Sequence, residues 1–432
     1  MTTATIALHG RAEAGMADVS IVMPCLNEAD SLEFCIANAR EAASTLNRLY
    51  GYEAEIVVAD NGSTDGSQAI ARQLGARVVP VEEKGYGAAL ILGCASAKGR
   101  FLLMGDADGS YDFRDGVAMI ARLAAGADLC MGSRFKGVIK PGAMPWKNRY
   151  IGNPVLTGVL NLFFGAGIDD AHCGIRAFTK TTFERLKLSG TGMEFASEMI
   201  IKAALLHLRI EEVPATLSKD RRKRPPHLRP WRDGWRHLRY LMMLSPSWLF
   251  AFPATFALFL GVWVLGVAGA VRLFEPEWTN FYFGNYWVIL AGSLIEIGHI
   301  AAIFALACSL YGIRQGYRRP GPFATILSRW VSLETMLVSG LAAVAAGISM
   351  LVGVIFYWSV HRFTPIDSVL PAVMGTSLFA VGIQNIFGGF LLSVVGGNEA
   401  RFFAASTRPV AVSGAAQREP TSLGPAEAAP RS

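Results

Sequence analysis

An aspartate pair in the N-terminal half is the sequence feature best suited to chemistry. Asp106 and Asp108 stand two residues apart, directly after the apolar run Phe101–Met104. Divalent cations such as Mg²⁺ and Mn²⁺ take oxygen ligands, commonly one or two carboxylates together with phosphate oxygens of a substrate. Aspartates also cap turns, so the spacing alone is weak evidence. The position of the pair after an apolar run favours a site for a divalent cation and a phosphorylated substrate.

Three more polar segments follow apolar runs earlier in the chain: Pro24–Glu28, Asp60–Asp65 and Lys84–Gly87. The first two would place hydrogen-bond acceptors around a nucleoside base and its ribose. In the third, small residues would let the backbone approach a phosphate, and Lys84 would supply positive charge. Each segment also has a plain structural explanation as a turn or a helix terminus. Taken together with the aspartate pair, they indicate a nucleotide site.

Alternating strand and helix patterns explain how these segments can meet. Five short apolar runs predict strands, at residues 19–23, 55–58, 77–79, 101–104 and 128–131. Stretches of helical length lie between the first four, at 31–49, 66–74 and 87–97. This alternation predicts an α/β fold with a mostly parallel, doubly wound sheet. Ligands of such sheets bind at the carboxyl ends of the strands, where all four polar segments fall.

The C-terminal half has the composition of a membrane domain. The chain is 52% hydrophobic, which is above the usual range for soluble proteins. Four apolar stretches are each long enough to cross the ~30 Å hydrocarbon layer, at 248–271, 286–311, 335–358 and 369–395. The second connection carries most of the loop arginines, namely Arg314, Arg318, Arg319 and Arg329. We therefore expect this connection, both chain ends and the α/β domain on the cytoplasmic side, since residues 1–17 lack the apolar core of a signal peptide.

Polar residues interrupt the predicted spans. Glu296 and His299 share a helix face, and Gln384 with Asn385 interrupts the fourth span. Ionisable groups at membrane depth suggest function by default. Hydrogen bonds between helices inside the bundle are the alternative, and the sequence leaves both explanations open.

The four polar segments of the α/β domain resemble the inverting glycosyltransferase family 2, which has the GT-A fold. Within it they are most similar to the dolichyl-phosphate-mannose and polyprenyl-phosphate-glucose synthase branch. The resemblance covers residues 18–245 and extends in architecture to the membrane helices. It implies that Asp106 and Asp108, with Ser110 beside them, bind Mg²⁺ or Mn²⁺ and the donor diphosphate. The positions that it assigns to donor binding are Pro24, Leu26, Asn27, Glu28, Asp60, Asn61, Lys84, Gly85 and Ala107.

Three residues depart from the pattern of the family. Leu26 stands where many members have Tyr, Asn61 where many have a second Asp, and Ser110 where the synthases place a Gln. These departures leave the donor nucleotide open between UDP and GDP. The sugar is also open, because sugar hydroxyls are recognised by loop geometry that spacing does not encode.

Several arginines are candidates for binding the acceptor substrate. Arg134 follows the fifth predicted strand, and Arg149 ends the segment Lys147–Arg149. A planar guanidinium can donate two parallel hydrogen bonds to a phosphate, and the resemblance implies that both residues clamp the acceptor phosphate. Arg176, at the end of Asp169–Arg176, is matched to the same side. An internal ion pair is the alternative for Arg176 and for Glu194.

A basic segment joins the two halves. It contains Arg221 and Arg222, which would either grip anionic lipid or fold over the donor diphosphate. Residues 231–243 follow, and they place large apolar side chains on one helix face: Trp231, Trp235, Leu238 and Met242. This pattern predicts a helix that lies in the headgroup layer.

These predictions divide the chain into five parts. They are a disordered N-terminus (1–17), a GT-A domain (18–217), a basic loop with an interfacial helix (218–246), a four-helix transmembrane domain (247–396) and a disordered tail (397–432).

The six cysteines have no CxxC spacing, which argues against a zinc site or a disulfide framework and predicts buried thiols.

The predicted function is transfer of a hexose from a nucleotide sugar to polyprenyl phosphate at the cytoplasmic (inner) membrane. The expected partners are the nucleotide sugar, an undecaprenyl or dolichyl phosphate, and the bilayer. The net charge of +6 is modest, so no nucleic acid is expected, and a homo-oligomer is compatible with the sequence. A processive polysaccharide synthase is one alternative, although Arg329-Trp330 lacks the glutamine of a Q-x-x-R-W segment. A non-catalytic scaffold or a flippase is the other, although few charges line the spans.

Overall fold

The computed structural model describes residues 17–221, 230–274, 284–320, 330–364, 366, 368–398, 400 and 402, with no side chains described at 230–233. Arg222, Arg329 and most of both predicted disordered ends lie outside these residues. The predictions made for them therefore remain predictions.

The N-terminal domain is built on one seven-stranded sheet. Its strands are β1 (Val19–Cys25), β2 (Ala54–Asp60), β3 (Arg77–Pro80), β4 (Phe101–Met104), β5 (Leu129–Ile139), β6 (Arg176–Thr179) and β7 (Ile210–Leu217). The order across the sheet is β3-β2-β1-β4-β6-β5-β7. The pairs β1–β2, β1–β4, β2–β3 and β5–β7 are parallel, and β6 is antiparallel to β4 and β5. The predicted mostly parallel sheet is confirmed.

Helices cover both faces of the sheet. They are α1 (Ala29–Tyr50), α2 (Ser67–Gln73), α3 (Tyr86–Ser96), α4 (Asp115–Ala124), α5 (Asn153–Phe164), α6 (Lys180–Leu186), α7 (Phe195–Leu205) and α8 (Pro230–Leu244). Successive β1 side chains point to opposite faces, so Ile21 packs in the core beneath α1 and α4. Val22 packs in the other core, beneath α3 and α7. The sheet is therefore doubly wound, as predicted.

Two strands were absent from the sequence prediction. β6 has only four residues and begins with a buried arginine, Arg176. β7 contains Glu211, Glu212 and Pro214, which break the apolar pattern of a buried strand. Pairing with β5 stabilises β7 despite these residues, and local sequence does not encode that contact.

Four long apolar helices follow. They are α9 (Phe252–Phe274, preceded by a π-helical turn from Ser247), α10 (Asn285–Arg314), α11 (Leu333–Val360) and α12 (Leu370–Val395). Each is long and apolar enough to span a membrane, with mean hydropathy between 1.9 and 2.2, which confirms the four predicted spans. Helices α11 and α12 approach closely where Gly340 faces the Gly382 carbonyl, the kind of small-residue contact that brings membrane helices together.

The polar groups of the bundle join helices to one another. His299 Nδ1 lies 2.9 Å from Gln384 Oε1, and the Ser377 hydroxyl donates to Glu296 at 3.2 Å. Asn385 donates to the Ser339 hydroxyl at 2.9 Å. The structure therefore favours the alternative in which these residues form hydrogen bonds between helices.

Helix α8 lies between the two halves. Its buried side packs His237 and Leu241 against the domain, whereas Trp235, Met242 and Met243 are exposed. The predicted helix is present, and its exposed apolar side chains suit the headgroup layer.

All six cysteines are free, and five are buried; the prediction of a buried thiol is wrong for Cys308, which is exposed on α10.

Candidate active site

The aspartate pair lies in the loop after β4, at the carboxyl edge of the parallel strands. The Tyr86 hydroxyl donates to Asp106 Oδ1 at 2.9 Å. The Ser110 hydroxyl and backbone N–H donate to Asp108 Oδ1 at 2.5 and 2.9 Å. The Ser31 hydroxyl of α1 donates to the Ala107 carbonyl at 2.7 Å, so the loop is fixed between the two carboxylates.

Tyr86 was not predicted to act on Asp106. Burial raises the pKa of its hydroxyl well above the usual value, and Asp106 raises it further. The hydroxyl therefore stays protonated and available as a donor at neutral pH. Tyr86 stands within the quoted Lys84–Gly87 segment, but nothing in that spacing signals its hydrogen bond to a residue twenty positions away.

The loops after β1 and β2 interlock, and together with those after β3 and β4 they form what we call the donor side. Asp60 is buried and accepts hydrogen bonds from the backbone N–H groups of Gly62 and Ser63 and from the Gln68 amide. Asn27, with a positive φ of 58°, accepts the Thr64 N–H at 2.7 Å. Further bonds join Glu28 N–H to Ser67 and Ala29 N–H to Asp65. These contacts hold Pro24, Leu26 and their neighbours against the end of β2.

Asn61 ties the end of β2 to the loop after β3. Its amide donates to the Val81 and Glu83 carbonyls, and its Oδ1 accepts the Gly85 N–H at 2.8 Å. Lys84 Nζ donates to the Asn61 carbonyl at 2.6 Å. The departure from Asp to Asn is thus explained locally, because an aspartate could not donate to two carbonyls.

Gly85 and Gly87, next to Lys84, pack against the protein backbone where the sequence analysis expected a phosphate. A Cβ at Gly85 would overlap the Thr191 carbonyl oxygen, and a Cβ at Gly87 would overlap that of Gly190. The close approach predicted for a phosphate is therefore made by residues 190–192, which pack on this loop. Gly85 also has a φ of 149°, which side-chain-bearing residues rarely adopt.

The carboxylate pair has the chemistry of a divalent-cation site. Asp106 and Asp108 offer hard oxygen donors on one short loop, and Ser110 contacts Asp108. Among the described residues, no three His, Cys, Asp or Glu side chains come together as a metal site. A cation here would take its remaining ligands from substrate phosphate and water, the usual arrangement for Mg²⁺.

The other side of the site, which we call the acceptor side, comprises the middle of β5 and the loop 165–175 before β6. The strand runs to Ile139, so Arg134 lies within it and does not follow it as the sequence predicted. Arg134 donates to both oxygens of Asp170, at 2.6 and 2.7 Å, and Asp170 also accepts the Arg134 N–H. Both residues are buried. Burial opposes the charge of Arg134, but Tyr111 and Asp170 outweigh it and raise its pKa. The predicted phosphate clamp at Arg134 therefore already has an internal carboxylate partner.

Arg176 lies beneath the site. It is fully buried, and its guanidinium donates to the carbonyls of Ala171, Cys173 and Ala196. Burial lowers its pKa. The structure gives Arg176 these backbone contacts, rather than the ion pair considered above, and no surface from which to meet an acceptor phosphate.

Gly174 brings the two sides together. A Cβ there would lie 2.6 Å from Asp106 Oδ2 and 2.7 Å from the Tyr111 ring, and the Gly174 N–H donates to the Tyr111 hydroxyl at 2.9 Å. No side chain larger than hydrogen fits at this point. Sequence reasoning missed this contact, although Gly174 lies in the quoted Asp169–Arg176 segment.

His172 is a further residue that sequence reasoning missed. Both its ring nitrogens are buried without a hydrogen-bond partner in the described part of the chain. Its ring meets the His237 ring of α8 edge to face, with centroids 5.0 Å apart, and His237 Nδ1 lies 2.9 Å from the Ser197 hydroxyl. Burial lowers the pKa of His172 well below its usual value. The loop 165–175 is thus packed directly on α8.

Arg149 lies in an exposed π-helical turn, Asn148–Gly152, just before α5. Its guanidinium lies 5.5 Å from the Tyr150 ring centroid. Apolar side chains are exposed along this turn and α5, namely Trp146, Tyr150, Ile151, Val155 and Leu162. Phe163 of α5 stacks on Trp248 at the start of the first span, with centroids 5.4 Å apart. Arg149 and its aromatic neighbours thus belong to a surface that continues into the membrane helices.

The start of the basic loop covers the aspartate loop. The Arg221 N–H donates to the Asp108 carbonyl at 2.9 Å, and its guanidinium lies 3.6 Å from the Phe34 ring centroid. The Ser218 N–H donates to the Ser110 carbonyl at 2.8 Å. This position favours the prediction that the loop folds over the donor diphosphate.

The chain is similar to known protein families and to individual proteins. Residues 20–187 match the family model Glycosyl transferase family 2, and residues 306–396 match Glycosyltransferase family 2 C-terminal transmembrane region. The chain is 36% identical over 380 residues to the low-salt glycan biosynthesis hexosyltransferase Agl6 of Haloferax volcanii, covering 88% of this chain and 89% of that protein. It is 28% identical over 200 residues to a dolichyl-phosphate hexose transferase of the same organism, covering 46% of this chain and 81% of that protein.

Among solved structures, the chain is similar to glucosyl-3-phosphoglycerate synthase from Mycobacterium tuberculosis in complex with Mn²⁺, uridine diphosphate and glucosyl-3-phosphoglycerate. The identity is 21%, the match covers 53% of this chain and 78% of that one, and the TM-score is 0.39. The match to Agl6 spans nearly the whole of both proteins, including the membrane helices. The chain is therefore an integral membrane enzyme of glycosyltransferase family 2, with a GT-A domain and the C-terminal membrane helices of the polyprenyl-phosphate sugar synthase-like branch.

Proposed function

We propose that this enzyme transfers a hexose from a UDP- or GDP-linked sugar to a polyprenyl phosphate, undecaprenyl or dolichyl, with inversion at the anomeric carbon. The observation that carries the proposal is the carboxylate pair Asp106 and Asp108, held in a domain whose α5 stacks on the first span through Phe163 and Trp248. A nucleotide sugar and a lipid acceptor can both reach such a site. The names of the relatives, a hexosyltransferase and a dolichyl-phosphate hexose transferase, support the same substrate classes.

On the donor side, Asp106 and Asp108 would hold Mg²⁺ or Mn²⁺. The cation would act as a Lewis acid toward the leaving diphosphate. The hydroxyls of Tyr86 and Ser110 keep the two carboxylates in one orientation. Arg221, whose backbone N–H donates to the Asp108 carbonyl, would add positive charge near the same phosphates. The nucleoside would lie over Asn27, Glu28 and Asp60.

On the acceptor side, the lipid phosphate is itself the nucleophile. A phosphate monoester is ionised near neutral pH, so no side-chain base is required. Its oxygen attacks the anomeric carbon while the bond from that carbon to the diphosphate oxygen breaks, which inverts the centre. Arg149, exposed among Trp146 and Tyr150, would receive the phosphate at headgroup level. Arg134, fixed by Asp170, would orient it, and orientation lowers the barrier to attack.

The cytoplasmic face is the proposed location of this reaction. The turn after α10 carries Arg318 and Arg319, and the Arg319 N–H donates to the Leu205 carbonyl of α7 at 3.4 Å. The basic connection and the GT-A domain therefore lie on the same side of the bundle. Because basic connections are usually cytoplasmic, this arrangement supports a cytoplasmic domain with access to nucleotide sugars.

The test is a transfer assay with purified protein, Mg²⁺ or Mn²⁺, undecaprenyl or dolichyl phosphate, and a panel of labelled UDP- and GDP-sugars. We expect label in the organic phase from one donor, abolished by chelation and lowered at least about 100-fold by Asp108→Ala. Asp112→Ala, which removes a half-buried carboxylate just outside the loop, is the matched control and should keep most of the activity. Transfer that survives full chelation, or an unchanged Asp108→Ala variant, would overturn the proposed role of the aspartate pair.

A further inference from the structure

Glu198, in the first turn of α7, is a buried carboxylate with no part in the proposed mechanism. Its exposed fraction is 0%. It accepts hydrogen bonds from the Ser189 N–H and hydroxyl, each at 3.1 Å, and from the Gly190 N–H at 2.7 Å. Lys202, one helical turn later, forms an ion pair with it at 2.7 Å. Tyr240 of α8 lies near enough that Glu198, after burial, raises the pKa of its hydroxyl. A carboxylate enclosed by these donors cannot touch a substrate.

These hydrogen bonds shape the loop 187–194, between α6 and α7. Glu198 satisfies two consecutive backbone N–H groups of this loop, and Glu194 accepts a third, from Gly192, at 3.1 Å. Buried N–H groups are costly to leave without an acceptor, so the carboxylate defines the path of the loop. The carbonyls of Gly190 and Thr191 consequently face the donor side.

The same carbonyls support the donor loop Lys84–Gly87. The Thr191 carbonyl accepts the Ala88 N–H at 3.1 Å, and the carbonyls of Gly190 and Thr191 occupy the space beside Gly87 and Gly85. Tyr86 lies between these two glycines, and its hydroxyl donates to Asp106. A continuous set of contacts therefore runs from Glu198, through the loop 187–194 and Tyr86, to the first aspartate of the pair.

Helix α7 is also held on its other side by parts of the protein next to the membrane. Tyr240 belongs to α8, which precedes the first span. Lys202 Nζ lies 5.5 Å from the ring centroid of Tyr317, in the turn after α10. The Arg319 N–H of that turn donates to the Leu205 carbonyl. The carboxylate of Glu198 thus lies where the donor loop, α8 and the membrane bundle are joined.

We infer that Glu198 is a positioning residue for the donor. It fixes the loop 187–194 so that Lys84–Gly87 and Asp106 are held in the geometry that binds the nucleotide sugar, and its neighbour Tyr240 links that geometry to α8. The inference rests on the proposed function, because it assigns Glu198 to one of the two substrates.

Glu212 provides a matched control on the opposite side of the site. It too is a shielded carboxylate that accepts two consecutive backbone N–H groups, those of Asp169 and Asp170, and it pairs with Lys136 at 2.6 Å. The part of the loop that it holds leads to Arg134 through Asp170, and the loop reaches Asp106 later in the chain, at Gly174. Glu198→Gln and Glu212→Gln therefore remove the same chemistry from loops that serve different substrates.

The first experiment measures kcat and both KM values for the two variants in detergent or nanodiscs. Glu198→Gln should raise the donor KM about tenfold or more, the factor for one buried donor left unpaired, while the KM for polyprenyl phosphate changes less than about twofold. Glu212→Gln should reverse the pattern. If Glu198→Gln leaves the donor KM unchanged, or raises both KM values equally, the inference is overturned.

A second readout does not depend on turnover. Hydrogen–deuterium exchange should rise in Glu198→Gln at residues 84–92 as well as at 187–194, and unchanged exchange at 84–92 would overturn the inference. Tyr240→Phe, which removes one hydroxyl from α8, should raise the donor KM and the exchange at residues 84–92 by smaller factors. If it changes neither quantity, the proposed link between Glu198 and α8 is overturned. This milder variant also replaces Glu198→Gln should that protein fail to fold. A wild-type enzyme inactive with every donor would instead refute the proposed function, while the exchange comparison would still decide the role of Glu198.

Discussion

The donor and acceptor sides of the candidate active site hold their charges in different ways. On the donor side, neutral hydroxyls of Tyr86 and Ser110 contact the carboxylates of Asp106 and Asp108. On the acceptor side, the guanidinium of Arg134 is matched by the carboxylate of Asp170. Neutral donors orient a carboxylate without cancelling its charge, whereas an ion pair offsets one charge with the other.

This difference indicates what each side contributes. On the donor side, hydroxyls that orient the carboxylates of Asp106 and Asp108 would suit the proposed site for a cation and a leaving diphosphate. The Arg134–Asp170 pair contributes structure as well as charge, because it joins β5 to the loop 165–175. Of the two arginines proposed to meet the lipid phosphate, Arg149 is exposed and Arg134 is buried. Variants that remove a charge from one side and a hydroxyl from the other can test this contrast.

The largest effect on stability is expected from Asp170→Asn. Removing one partner of a buried pair leaves Arg134 without its counter-charge, which typically costs about 3–5 kcal/mol in the free energy of unfolding. Thermal and denaturant unfolding of the detergent-purified protein would measure this loss. Arg122→Ala, which breaks the exposed pair with Glu211, is the control and should cost no more than about 1 kcal/mol. Equal losses in the two variants would show that the acceptor-side pair has no special structural role.

A smaller effect, on activity, is expected from Tyr86→Phe. The variant removes the hydroxyl that orients Asp106 and keeps the ring, so it should lower kcat/KM about tenfold, equivalent to about 1.4 kcal/mol for one hydrogen bond to a charged group. Because burial and Asp106 raise the pKa of Tyr86 above its ordinary value, the loss should be constant from pH 6 to 9. Steady-state kinetics at several pH values would check both points.

Tyr52→Phe is the matched control for this prediction. Tyr52 is buried, whereas Tyr86 is half-buried; Tyr52 precedes β2 at the opposite end of the strands and packs on Phe101. Removal of the Tyr52 hydroxyl should leave kcat/KM unchanged within about twofold. If the two variants lose the same activity, the hydrogen bond from Tyr86 to Asp106 does not orient the donor side.

The sequence predicted those strands and helices whose residue pattern lies within one short stretch of the chain. The first four strands are apolar runs bounded by turns, and each ends in polar residues that the parallel sheet brings to one edge. The four spans are longer than any described helix of the N-terminal domain, and each is apolar enough to cross a membrane. In both cases a window of neighbouring residues contains the whole signal.

The contacts that sequence missed join residues far apart in the chain. Arg134 pairs with Asp170 across 36 positions, and Ser197 meets His237 across 40. Neither pair has a spacing that distinguishes it from a solvated charge or a surface histidine. The role of Gly174 likewise depends on where Asp106 and Tyr111 lie after folding. Such partners are chosen by tertiary packing, so single-sequence reasoning names the residues of the site more readily than their neighbours.

A further effect, confined to the acceptor side, is a dependence of stability on pH through His172. Burial lowers the pKa of this imidazole well below its ordinary value, and His237, Arg134 and Arg176 lower it further. His172 is therefore neutral in the folded protein, whereas in the unfolded chain it takes up a proton below about pH 6.5. Because the unfolded state then binds more protons, the free energy of unfolding should fall as pH decreases, by up to about 1.4 kcal/mol per pH unit for one proton.

His172→Asn should reduce this slope, and unfolding measured from pH 5 to 8 would reveal it. Above about pH 7 the imidazole is neutral in both states, so the slopes of the variant and the wild type should agree there. His207→Asn is the control, because His207 is exposed and its positive φ of 52° suits asparagine. The control should keep the wild-type slope at acid pH. A His172→Asn variant with the same acid slope as the wild type would mean that the acceptor-side loop gains no acid sensitivity from its packing against α8.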